Sequence, residues 1–302
     1  MTADAQQLTF DGRTVRVTSP GRILFPLTGF TKADLIEYYV RVADVLLPHV
    51  VDRPATLHRF PEGVDGPRFF QTRVPPHPDW VRTVTLTYPR TGKTFDAPVI
   101  DDVASLVWAS NLSAIELHPF LARTSALDRP LLLVFDLDPG PPAGVIDAAT
   151  LALRLRVVLR DAGLAPYVKF SGQKGLHVVA PLDGTATYDD TKAFAHAVAL
   201  TLATDDPTTV TARMSKRDRP GKVFVDWSQN DAGKSTVAPY SLRGLRVPSV
   251  AVPLSWDEVE HAVAKRDPRA FVVAAGDIDR RLTEVGDPFA ALDRDAANGH
   301  LP

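Results

Sequence analysis

Residues Leu131-Leu132-Leu133-Val134-Phe135-Asp136-Leu137-Asp138 form an apolar run bounded by Pro130 and Pro139. The run has the length of a strand, and its near-continuous apolar character predicts burial on both faces at the centre of a sheet. Two acids inside it need a reason. Residues two apart on a strand share a face, so Asp136 and Asp138 project side by side. Two like charges buried together cannot both stay ionised without a cation, and an oxygen-liganded Mg2+ or Mn2+ would satisfy them. The open alternative is that Asp138-Pro139-Gly140 begins a turn in which both acids are solvated.

Downstream, helices are predicted from about Asp147 to Ala162 and from about Tyr188 to Leu202. Between them, Tyr167 to Phe170 and Leu176 to Ala180 read as strands joined by Ser171-Gly172-Gln173-Lys174-Gly175. The glycines let a ligand approach the backbone, while Ser171, Lys174 and His177 offer donors for phosphate oxygens. The spacing is not that of a Walker loop, and an isolated loop of this kind would read as an ordinary polar turn. Val223 to Trp227 is another apolar strand carrying an acid, Asp226; a structural ion pair is the plain reading, and a third metal ligand the functional one. Three carboxylates would hold two metals roughly 3.5–4 Å apart, as in nucleotidyl-transfer sites.

Upstream, Asp11-Gly12 between short β-prone runs predicts a hairpin. Thr31 is placed to cap a helix with the apolar stripe Leu35, Tyr39, Val42 and Leu46, and with Asp34 at the acidic position of a capping box. Thr83 to Tyr88 and Ala114 to His118 read as strands, Asp101 to Ala109 and Trp256 to Val263 as helices. The elements do not alternate regularly, which points to an α+β fold with a mainly antiparallel or mixed sheet. The last residues, from about Asp293, are expected to form a flexible tail.

The 302-residue chain carries no cysteine, which excludes disulfides, thiol nucleophiles and thiolate metal sites. Any metal must rest on Asp, Glu or His. No apolar stretch is long enough to span a membrane and the N-terminus lacks a signal-peptide pattern, so a cytoplasmic protein is expected. The net charge of -2 argues against a polyanionic partner until it is resolved along the chain. Residues 211–247 hold eight basic residues against three acids, and residues 53–93 seven against three, whereas residues 252–302 hold six against ten. The first basic region within 53–93 includes Arg68-Phe69-Phe70-Gln71, aromatics among cations, a composition suited to stacking on bases beside phosphates.

Together these motifs resemble the polymerase domain of bacterial ATP-dependent DNA ligase D, which acts in non-homologous end joining and belongs to the archaeo-eukaryotic primase superfamily. The resemblance runs from Arg22-Ile23-Leu24-Phe25-Pro26 through Phe69-Phe70-Gln71, Ile115-Glu116-Leu117-His118-Pro119, Phe135-Asp136-Leu137-Asp138-Pro139, Ser171 to His177 and Val223 to Asp226 to Ala238-Pro239-Tyr240-Ser241-Leu242-Arg243. It implies a primase-like catalytic core of mixed and antiparallel sheets flanked by helices. Residues 1–292 would form one primase-polymerase domain, with a DNA-end-binding part to about 130 and a catalytic part from 131, and residues 293–302 the tail. It also implies a nucleotidyl transferase that adds NTPs or dNTPs to primer termini and fills gaps with Mn2+ or Mg2+, on DNA with gaps or double-strand breaks. Ku and an ATP-dependent DNA ligase are implied partners, with no membrane involved.

Carried over by position, the resemblance implies that Asp136, Asp138 and Asp226 hold the metals. Ser171, Lys174, His177 and Arg243 would bind the triphosphate, and His118 would be an active-site histidine. Arg22 and Lys32 match positions that bind a 5′-phosphate, and Phe69 and Phe70 the pair that stacks on the template. Lys32 follows the cap Thr31, so it sits at a helix N-terminus, where backbone N–H groups already favour an anion. Two positions depart from the pattern: Thr72 replaces a basic residue, weakening one DNA contact, and Arg22 replaces lysine with the charge kept. Two other readings stand beside this one. The first is a non-catalytic DNA-end bridging module; the second is an aspartyl-phosphate phosphatase, whose Asp-x-Asp motif would need Thr or Val at Gly140.

Overall fold

The computed structural model describes residues 5–87 and 91–302. The chain divides into two compact units: residues 1–120, 235–250 and 274–276 in one, and 121–234, 251–273 and 277–302 in the other. The N-terminal part expected to end near residue 130 thus ends at Phe120 in this division and takes in two later segments.

The second unit is built on a six-stranded sheet in the order Val210–Thr211, Val223–Asp226, Leu132–Pro139, Leu176–Pro181, Tyr167–Phe170 and Pro253–Leu254. All pairs are antiparallel except the first. The predicted apolar run is the third strand, with neighbours on both sides. Leu133, Val134, Phe135 and Leu137 are fully buried, which is the physical outcome of an apolar strand laid at a sheet centre. The helices Val145–Asp161 and Tyr188–Asp205 pack on this strand, close to their predicted bounds. Tyr188–Asp205 starts at Thr187, whose hydroxyl accepts from the Asp190 N–H while the Asp190 carboxylate accepts from Thr187, a capping box.

Residues 293–302, expected to be a flexible tail, are docked. Leu292 and Phe289 are buried in a cluster with Leu121, Val134, Val179 and Tyr188. The Tyr167 hydroxyl donates to Asp295 at 2.6 Å, and the Asp183 N–H to the Gly299 carbonyl at 3.1 Å. The short apolar contacts at Phe289 and Leu292 supply the burial that the polar composition of the last ten residues concealed.

The first unit opens on the predicted hairpin, Ala5–Phe10 paired with Arg13–Thr18 through Asp11 and Gly12, both at positive φ. The helix Lys32–Arg41 begins in the predicted box of Thr31 and Asp34, and its stripe residues Leu35, Tyr39, Val42 and Leu46 are fully buried. It stops one turn earlier than the stripe, and Ala43–Leu46 resumes as a separate turn. A three-stranded sheet in the order Phe69–Gln71, Ala55–Arg59, Ala114–Pro119 follows, with the hairpin of Leu242–Gly244 and Pro248–Val250 packed against Ala114–Pro119. The strand predicted to end at Tyr88 is described over Thr83–Thr87, and Tyr88 lies outside the described residues.

Candidate active site

Asp136 and Asp226 are direct cross-strand partners on the central and neighbouring strands, and Asp138 lies two residues along from Asp136 on the same face. Three carboxylates are therefore gathered by backbone register alone. Their side chains are partly open, 28% exposed at Asp136 and 29% at Asp138, in place of the buried pair expected from the apolar run. The acids lie toward the end of the strand, where one face of the sheet is uncovered. Positive groups surround them. The Lys174 ammonium lies 2.7 Å from one Asp138 oxygen and the Arg219 guanidinium 3.3 Å from the other. His177 pairs with Asp136 across the strands, its Nε2 3.5 Å from Asp136 Oδ1. Asp226 accepts from the Ser228 hydroxyl at 2.6 Å and from the Gln229 amide at 3.1 Å.

The predicted loop Ser171–Gly175 is closed by two hydrogen bonds, from Ser171 N–H to the Gly175 carbonyl and from Gly175 N–H to the Ser171 hydroxyl. A side chain at Gly175 would place its Cβ 2.2 Å from the Leu137 carbonyl oxygen, so the loop lies flat on the central strand between the two acids only because glycine stands there. This close approach brings Lys174 to Asp138. Arg219 is a site residue that the sequence showed only as one member of a charge cluster. Its guanidinium lies 3.9 Å from the centre of the Phe224 ring, and it donates to the Met214 carbonyl, contacts visible only once the strand and the loop before it are folded.

In the other unit, His118 and Arg243 converge on a buried carboxylate, Glu116, to which the sequence reading gave no role. His118 Nε2 lies 2.8 Å from Glu116 Oε2, and Arg243 Nε 3.5 Å from Oε1, which also accepts from the Gly244 N–H at 2.9 Å. Burial would raise the Glu116 pKa, but the His118 and His58 imidazoles and the Arg243 charge outweigh it and hold the carboxyl well below the usual range. Burial lowers the His118 pKa, against the opposing pull of Glu116. Among the described residues, the His, Asp and Glu donor atoms that fall within 4.8 Å of one another in a group of three belong to His58, Glu116 and His118. The aspartates do not meet that spacing as their side chains stand, with Asp138 on Lys174 and Arg219 and Asp226 on Ser228 and Gln229.

Arg22 and Lys32 also lie together. Lys32 is buried, donates from Nζ to the Thr18 carbonyl at 2.8 Å, and receives the Arg22 carbonyl on its backbone N–H at 2.8 Å. Burial, then the charges of Arg22 and Arg59, lower its pKa to about 8. Arg59 is thus a third cation of this group. Phe69 and Phe70 are exposed at 45% and 61%, so neither is core. Phe69 lies under Arg59, and Phe70 stacks on His58 with ring centres 3.9 Å apart. Thr72, at the position expected to be basic, shares a hydrogen bond with Thr56 at 2.9 Å.

A family model described as the LigD primase-polymerase domain matches residues 31–289. The chain belongs to that family. It is 38% identical over 291 residues to the multifunctional non-homologous end joining DNA repair protein LigD of Mycobacterium tuberculosis, a match covering 93% of this chain and 37% of the relative. Against the bifunctional non-homologous end joining protein LigD of Bacillus subtilis, identity is 32%, over 91% of this chain and 43% of that protein. The chain thus spans well under half the length of these curated relatives. The solved polymerase domain of Mycobacterium tuberculosis ligase D in complex with DNA superposes with a TM-score of 0.86 at 37% identity, covering 93% of this chain and 99% of that one. The expected α+β class, with antiparallel and mixed sheets flanked by helices, is the fold observed. No helix among the described residues is long and apolar enough to cross a membrane.

Proposed function

We propose that this member of the LigD primase-polymerase family is a metal-dependent, DNA-directed nucleotidyl transferase that adds NTPs or dNTPs to primer termini and fills short gaps at DNA breaks in non-homologous end joining. The observation that carries the proposal is the register that sets Asp136 opposite Asp226, with Asp138 beside them and the Ser171–Gly175 loop lying on the same strand. Family membership and the likeness to a polymerase domain solved with DNA support it. On this reading residues 1–292 act as one primase-polymerase domain, in the cytoplasm and on the nucleoid, with Ku and an ATP-dependent DNA ligase as partners.

The donor set fits Mg2+ or Mn2+, because every candidate ligand is a carboxylate oxygen presented from adjacent strands. Asp136, Asp138 and Asp226 would hold the ions. When bound, the ions lower the pKa of the attacking primer hydroxyl and neutralise charge on the phosphates. The chain's own groups supply the rest. Lys174 and Arg219 carry fixed positive charge at the edge of the acid group and are placed to bind triphosphate oxygens once those compete with Asp138. His177, held in the strand beside Asp136, and the Ser171 hydroxyl offer further donors. Arg243 and His118 are assigned to the triphosphate and to catalysis on the family resemblance. Arg22 and Lys32, with Arg59 beside them, form a cationic group suited to a 5′-phosphate, and the exposed rings of Phe69 and Phe70 are suited to stacking on a template base.

Primer extension with Mn2+ tests the core of this reading. Asp136→Ala should abolish extension of a labelled primer while leaving DNA binding within a few-fold of the parent chain; undiminished extension would sink the assignment. Gap filling run with NTPs and with dNTPs, on duplexes with and without a downstream 5′-phosphate, tests end recognition. Equal affinity for both ends, or no effect of Arg22→Ala, would remove that role.

A further inference from the structure

We propose that His58 Nδ1, Glu116 Oε2 and His118 Nε2 form a binding site for one zinc-class divalent cation, separate from the aspartate group. His58 lies on the strand Ala55–Arg59 and the other two on Ala114–Pro119, where His58 and Glu116 are register partners. A single carboxylate oxygen therefore faces two imidazoles, 2.8 Å from His118 Nε2 and 3.2 Å from His58 Nδ1. Only the first contact has hydrogen-bond geometry. His58 Nδ1 is buried without a hydrogen-bond partner, a lone pair or proton aimed at an oxygen already engaged.

Zinc bonds of about 2.1 Å in a tetrahedron set donors about 3.4 Å apart, so a cation would fit after shifts of a few tenths of an ångström. The donor types select the metal. Two imidazole nitrogens with one carboxylate oxygen suit Zn2+ and its neighbours, whereas Mg2+ demands oxygen ligands. The second layer is also in place. Gly244 N–H at 2.9 Å and Arg243 at 3.5 Å hold Glu116 Oε1, fixing the carboxylate with Oε2 toward the imidazoles. The Arg243 charge opposes a second cation, which limits the site to one ion. Three protein ligands leave one coordination position for water or a substrate oxygen.

The site has a consequence for DNA contact. The Phe70 ring lies on His58, 3.9 Å away and 14° from parallel, and meets the edge of His118 at 5.4 Å. A metal that locks both imidazoles would fix the platform under an exposed aromatic residue.

The test uses the full chain carrying Asp136→Asn and Asp138→Asn, so that the aspartate group no longer competes. After chelator treatment it should bind one equivalent of Zn2+ by calorimetry, resist displacement by millimolar Mg2+, and give the visible absorption of tetrahedral Co2+ when Co2+ is used instead. Adding His58→Gln should weaken Zn2+ binding on the order of 100-fold, the share of one ligand in such a site. His118→Gln provides the second arm if the first variant fails to fold by circular dichroism. Absence of stoichiometric Zn2+ binding, or binding unchanged by whichever variant folds, overturns the proposal. Because polymerase activity is not the readout, its loss or survival bears on the proposed function alone.

Discussion

Lys32 carries opposite demands in one side chain: it is buried beside Arg22 and Arg59, yet it is useful only when charged. Its pKa of about 8 lies below the ordinary lysine value of 10.5, so the unfolded chain binds more protons between these limits. Stability contributed at this position therefore rises as pH climbs through that window, and the cost of the charge is fully present below about 8. Lys32→Met should accordingly stabilise the fold at pH 7 by on the order of 1 kcal/mol in thermal or urea unfolding. The same titration sets a functional prediction. The preference for a 5′-phosphorylated over an unphosphorylated end should fall as pH rises from 7 to 9, as Lys32 loses its charge, and Lys32→Met should flatten that profile. Glu116 is the complementary case, a buried anion among His58, His118 and Arg243. Glu116→Gln removes the only negative partner of these groups seen among the described contacts, and a loss of about 3–5 kcal/mol in equilibrium unfolding is expected.

The central strand Leu132–Pro139 is longer than its neighbour Val223–Asp226, whose pairing begins only at Asp136. Beyond that point the side chain of Asn230 continues the ladder, accepting from Val134 N–H at 2.8 Å and donating to the Val134 carbonyl at 2.7 Å. Asn230 is fully buried, so Asn230→Leu strands both backbone groups and should cost about 2–5 kcal/mol in urea unfolding. At the loop, Gly175→Ala drives a Cβ against the Leu137 carbonyl and must lift the loop off the strand. Nucleotide binding should weaken by about tenfold or more, measured by calorimetry with a non-hydrolysable NTP, because Lys174 is carried away from the acids.

At the scale of the whole chain, the two units are interleaved. The hairpin of Leu242–Gly244 and Pro248–Val250 belongs with residues 1–120 although the second unit separates them in sequence. Tyr38 Oη donates to the Tyr240 carbonyl at 2.8 Å, and Tyr39 Oη lies 3.2 Å from the Ser241 hydroxyl; all four residues are buried. A fragment of residues 1–130 would leave these hydroxyls without those partners and expose the apolar face of Ala114–Pro119. It should therefore fail to unfold cooperatively, which circular dichroism in urea would show.

Local chemistry made much of this legible. The Thr31 and Asp34 cap, the Asp11-Gly12 hairpin, the apolar run with its two acids and the glycine loop each follow from steric or periodic rules acting over a few residues, and all were found where the sequence placed them. The amino-acid sequence by itself thus determined the elements, the α+β class and the family, and it named the acids that the register gathers. The tertiary structure alone decided what those elements share. It placed Arg219 on Asp138, Asn230 on Val134, Glu116 among His58, His118 and Arg243, and the C-terminal residues on the sheet. The reason is physical. Helix and strand periodicity report which side of one element is apolar, whereas ion pairs, shared carboxylates and docked termini depend on distances between residues far apart in the chain, which no local pattern encodes.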